Sequence, residues 1–102
     1  MKVLAISSIG LLFGLMFMQP ALAGDPFAGS GIYAQYCVSC HGGDGSGEVA
    51  GTPSFRGGRI LTKSQMDLLS TVKSGKDLMP AFQGILTEDQ IDDVVAYIRT
   101  FN

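Results

Sequence analysis

Cys37-Val38-Ser39-Cys40-His41 gathers within five positions both cysteines and the only histidine of this 102-residue chain. A C-x-x-C-H run is the pattern of covalent attachment of a c-type haem. On a helix, Cys37 is three residues from Cys40 and four from His41, so the three side chains share one face. Two thiols there can bond the two vinyl groups of one porphyrin, and the neighbouring imidazole can reach the iron. Two rival chemistries use a C-x-x-C pair. A thioredoxin-like redox pair needs a βαβ setting, and the chain shows no strand pattern. A structural zinc needs four ligands, whereas only Cys37, Cys40 and His41 are on offer without recruiting a carboxylate.

Haem iron has a second axial position. With no second histidine, the choices are Met79, Met66, a lysine or an open site. Met66 falls on the apolar stripe of a predicted helix and reads as a core residue. Met79 stands in a loop directly before Pro80, whose ring fixes the local backbone, and is the favoured ligand. A thioether opposite an imidazole raises the reduction potential. It also closes the iron to oxygen and substrates, so the expected task is outer-sphere electron transfer by a protein that is not an enzyme. A labile sixth position would instead allow a haem sensor or a weak peroxidase.

The elements that must position these residues are helical. Asp25-Pro26 offers a cap followed by proline, and a helix is predicted over Phe27 to Cys40 with Ile32, Tyr33, Tyr36 and Cys40 on one face. Gly42 to Leu61 is rich in Gly, Ser, Pro and Thr and reads as a long loop. Thr62-Lys63-Ser64-Gln65 reads as a capping box, followed by a stripe of Met66, Leu69 and Val72 up to Gly75. Lys76 to Leu86 is a second loop, holding Met79. Thr87-Glu88-Asp89-Gln90 is another capping box, opening a helix with Ile91, Val94, Val95 and Ile98 on one face. The expected fold class is all-α, with three to four helices and long loops wrapped around one covalently bound haem. Loops of this length without structure of their own are functional or disordered.

Length and charge narrow the role further. Lys2, the apolar run Val3 to Met18, Pro20 and the small-x-small sequence Ala21-Leu22-Ala23 read as a secretory signal peptide over residues 1–23. The expected mature domain is 24–102, exported to the periplasm, with no membrane span after cleavage. It carries six basic residues (Arg56, Arg59, Lys63, Lys73, Lys76 and Arg99) against nine acidic ones, a net charge of −3. That balance argues against nucleic acid as a partner. A 79-residue domain is marginal on its core alone, and two cysteines three apart close no useful disulfide loop. A covalent haem supplies the missing core surface. The basic residues of the middle stretch and the acidic Glu88, Asp89, Asp92 and Asp93 offer two faces for steering redox partners, but the acidic group reads more strongly as structural, Glu88 and Asp89 suiting a helix N-terminus and Asp92 and Asp93 a solvated face.

With these residues in view, Gly29 to Phe101 resembles a small bacterial class I (His/Met) monohaem cytochrome c. The matching features are Gly29-x-x-x-Tyr33-x-x-x-Cys37-x-x-Cys40-His41-Gly42, the loop Asp44-Gly45-Ser46-Gly47, Leu78-Met79-Pro80-Ala81-Phe82, and Leu86-Thr87-x-x-x-Ile91-x-x-Val94-Val95-x-Tyr97-Ile98. The resemblance implies that the last helix crosses the first, with Gly29 and Tyr33 against Val94 and Tyr97. It implies that the carbonyl of Pro53, twelve residues after His41, accepts the ring N–H of that histidine. The chain lacks the tryptophan that often bonds a haem propionate in relatives, so Arg56 or Arg59 is the expected substitute. Phe55 and Phe82 are expected at the haem edge. The implied partners are an electron donor and an electron acceptor, and a monomer is expected.

Overall fold

The computed structural model describes residues 24–101, together with Gly10 and Gly14. The apolar run and the Ala21-Leu22-Ala23 signal lie outside the described residues. Four helices follow in order: α1 (Pro26–Tyr36), α2 (Val38–His41), α3 (Gln65–Ser74) and α4 (Glu88–Ile98), with a 3-10 turn at Arg59–Thr62. No strand occurs among the described residues, and the all-α expectation holds.

α1 opens as its sequence dictates. The Asp25 carboxylate accepts from the Phe27 backbone N–H at 2.9 Å, and Pro26 occupies the first helical position. The helix ends earlier than the apolar spacing suggests. Cys37 caps α1 with a widened φ (−119°, ψ −30°), closes it through its N–H on Tyr33 O, and starts the short α2. The single helix expected through Cys40 is therefore two, with the first haem-type cysteine at the joint.

α3 also differs at its start. Its cap is Ser64, whose hydroxyl accepts from Asp67 N–H at 3.0 Å. Thr62 is spent elsewhere, donating its hydroxyl to Arg59 O at 2.8 Å within the 3-10 turn. Met66 lies 79% exposed, and Leu69 and Val72 carry the packing instead. The core assignment of Met66 is corrected accordingly. At α4 the capping box expected from Thr87 and Gln90 is present in both directions.

The core gathers Tyr33, Ile60, Val72, Phe82, Leu86, Ile91, Val94, Val95, Ile98 and Phe101. Its main interface is the crossing of α1 and α4. Gly29 is the point of closest approach: a Cβ there would lie 1.9 Å from Asp93 O and 3.0 Å from Tyr97 Cβ. The crossing is held further by Asp25 N–H donating to the Asp93 carboxylate at 2.7 Å, so this acidic residue serves the fold. Arg99 ties the end of α4 to the start of α3 through Gln65 Oε1 (2.8 Å) and Lys63 O (3.0 Å).

Gly29→Ala is expected to separate the two helices and to destabilise the holoprotein by about 3 kcal/mol, since a methyl placed into backbone cannot be absorbed by a rotamer change. A thermal melt checks this. An unchanged melting temperature would contradict the close approach.

Candidate functional site

Cys37, Cys40 and His41 sit on one turn. Cys40 N–H and His41 N–H both reach back to Cys37 O, at 3.3 and 3.0 Å. Gly42, with φ +82°, then turns the chain out of the helix. The segment that follows folds back on the turn: His41 O accepts from Gly47 N–H at 2.8 Å, and Cys40 O accepts from Glu48 N–H at 2.9 Å. Phe55 is brought in by its N–H on Gly45 O at 2.8 Å. Its ring stacks on the His41 imidazole, with centroids 4.6 Å apart and planes 16° from parallel.

The electrostatics follow burial. Desolvation lowers the His41 pKa, so the imidazole stays neutral at physiological pH, the form whose lone pair binds a metal. Burial, and secondarily the Cys40 charge, push the Cys37 thiol up to about 11. Asp44 is held below the usual carboxylate range by the Ser46 hydroxyl and N–H, which both donate to it.

Met79 is placed by a tight turn rather than by a helix. Lys76 and Met79 exchange backbone bonds of 3.1 and 2.9 Å, with Asp77 at φ +53° between them. Gly75 lets this turn approach closely, because a Cβ there would lie 2.5 Å from Met79 O. Phe82 N–H on Val72 O and Gln83 N–H on Lys73 O pin the far end of the loop to α3. Met79 is half-buried and packs against the same core as Cys37 and Phe55, whereas neighbouring Leu78 is 94% exposed.

The remaining expected site residues fall as follows. Pro53 is exposed, and His41 Nδ1 is buried without a hydrogen-bond partner, so the expected bond between them is not made. The proline is nevertheless close to the histidine backbone. Gly47, bonded to His41 O, has the Pro53 carbonyl 3.6 Å from where its Cβ would stand. Arg56 is exposed and donates to Asp44 O at 3.3 Å, bracing the loop. Arg59 is exposed on the 3-10 turn. Within the basic stretch, Lys73 pairs with Glu88 at 2.6 Å, an exposed bridge of modest value that occupies one charge of each candidate steering face. One contact escaped sequence reasoning: the buried Tyr33 hydroxyl donates to Gly42 O at 2.6 Å. No spacing rule marks such a bond, since the tyrosine pattern alone reads as packing.

These groups fit a covalently held haem. Two thiols and a neutral imidazole share one turn, a buried Nδ1 lacks an acceptor, and a thioether abuts the same apolar cluster. They do not fit zinc: among the described residues no three His, Cys, Asp or Glu side chains converge on one point.

An all-α fold with a C-x-x-C-H turn beneath an aromatic core defines a small class I c-type cytochrome. Residues 24–98 match the family described as "Cytochrome C oxidase, cbb3-type, subunit III", and the chain belongs to that family. It is 33% identical over 107 residues to cytochrome c6 of Nostoc sp., covering 95% of this chain and 90% of that protein. It is 37% identical over 90 residues to cytochrome c6 of Rippkaea orientalis, covering 86% and 81%. Among solved structures, cytochrome c6 of the diatom Phaeodactylum tricornutum superposes with a TM-score of 0.66 at 28% identity, covering 76% of this chain and 93% of that one. The protein is an electron carrier with covalently attached haem c, and it is not an enzyme. Among the described residues, no helix is long and apolar enough to cross a membrane.

Proposed function

We propose that the chain is an exported one-electron carrier of the periplasm in which Cys37 and Cys40 hold the haem and His41 and Met79 are its axial ligands. Residues 1–23 serve as the cleaved export signal, and the mature domain works as a monomer between a donor and an acceptor protein. The observation that supports this most is the pinned Met79 turn. Its backbone bonds hold the thioether half-buried against the cluster that also packs Cys37 and Phe55. Bound haem would carry one reversible electron, and ligation by His41 and Met79 would favour its reduced state. The chain's residues hold that site closed. Phe55 lies flat on His41, the neutral imidazole keeps its lone pair, and Phe82 and Val72 keep the Met79 loop on α3. Pro53, Arg56 and Arg59 are assigned to the haem surround, either arginine as a propionate partner.

Potentiometry of the purified holoprotein tests this reading. A single one-electron wave, with no ready carbon monoxide binding by the reduced protein, is expected. Rapid carbon monoxide binding by fresh protein would overturn the closed His41/Met79 site in favour of a sensor or peroxidase.

A further inference from the structure

Tyr33 is 1% exposed, and its ring sits at the α1/α4 crossing, 5.2 Å from the Tyr97 ring and 5.3 Å from Phe101. Packing explains the ring and leaves the hydroxyl unexplained. That hydroxyl donates to Gly42 O at 2.6 Å, in a buried setting. Gly42 directly follows His41 and is where the chain leaves α2, its N–H closing on Val38 O at 2.8 Å. The other bonds to this exit come from the loop itself. Gly45 N–H reaches Gly42 O at 3.2 Å, and Gly47 N–H reaches His41 O at 2.8 Å. Tyr33 alone ties the exit to a different element, and it does so with the shortest of these bonds. Without the hydroxyl, the buried Gly42 carbonyl keeps only the longer bond from Gly45 N–H, and its freed lone pair recruits water or draws the backbone toward another donor.

We propose that Tyr33 is a positioning residue for electron transfer, its hydroxyl holding the Gly42 carbonyl so that the backbone carrying His41 stays fixed and dry. The proposal rests on His41 being the axial ligand. It separates two tasks within one side chain: the ring packs α1 on α4, and the hydroxyl sets the redox centre. Water admitted beside the ligand stabilises the more charged oxidised state, so losing the hydroxyl lowers the reduction potential.

The test is Tyr33→Phe in the holoprotein, which keeps the ring. Haem content, helical signal and axial-ligand absorption are expected to match wild type. The potential is expected to fall, and Gly47 amide exchange to quicken about fivefold, as the loss of one buried hydrogen bond implies. Tyr97→Phe is the control, because its hydroxyl makes no hydrogen bond to a described residue while its ring belongs to the same cluster. It is expected to leave the potential unchanged. An unchanged or raised potential in Tyr33→Phe, whatever the exchange rate, or an equal fall in Tyr97→Phe, overturns the proposal and leaves Tyr33 a packing residue. Failure of the underlying reading looks different. A wild-type protein whose axial spectrum survives His41→Ala was never ligated by His41, and the proposal falls with that reading.

Discussion

Met79→Ala is expected to abolish the far-red thioether-to-iron band, to lower the reduction potential by on the order of 100 mV or more, and to let the reduced protein bind carbon monoxide. All three follow from one loss. The Lys76–Met79 turn would persist, because its bonds are backbone bonds and Asp77 carries its strained φ. The loop would stay pinned to Val72 and Lys73 while presenting a methyl where the thioether had been. The effect is therefore on the axial position and not on the fold. Met66→Ala is the matched control. Its side chain is 79% exposed on α3, so it should alter neither spectrum nor potential, and should change stability by no more than about 0.5 kcal/mol. Potentiometry and absorption of the two variants, side by side, check the contrast. Equal behaviour would remove Met79 from the iron.

The double variant Cys37→Ser with Cys40→Ser is expected to yield a chain that neither retains haem through acid–organic extraction nor folds cooperatively. The described core has ten buried hydrophobic side chains, and no disulfide supports it. A domain of this size gains little net stability from such a core. Covalent attachment keeps a large apolar body at an effective concentration that free haem does not reach. Circular dichroism on heating should show a broad, weak transition in place of a sharp one. A sharp wild-type melt from the haem-free variant would show that the helices need no cofactor to pack.

Much of this was legible in the sequence where local chemistry is decisive. Asp25-Pro26 and Thr87 through Gln90 name their helix starts, because a cap is satisfied by residues two or three positions away. Gly29 was legible as a close approach only through family resemblance. The structure then shows the backbone it meets to be Asp93. The misread start of α3 has a plain cause. Thr62 and Ser64 both carry a hydroxyl that can cap, and the choice went to Ser64 once Thr62 was drawn into the 3-10 turn after Gly58. Met66 stands six residues before the buried Val72, about 120° around the helix from it, and lies at the surface. The break at Cys37 was invisible because apolar spacing continues across it. The Tyr33 hydroxyl contact was invisible for another reason: α2 must end at Gly42 before that carbonyl is free to accept. The C-x-x-C-H run announces the cofactor, while the geometry around it depends on packing.

The most direct test of a His41/Met79-ligated, closed electron carrier is the proton NMR spectrum of the reduced holoprotein. A methionine methyl held over the porphyrin face is displaced strongly upfield by the ring current. A single three-proton signal of this kind is expected. It should be absent from Met79→Ala and present in Met66→Ala. A spectrum without that signal, or one that loses it only when Met66 is replaced, would contradict the assignment of Met79 and the closed site built on it.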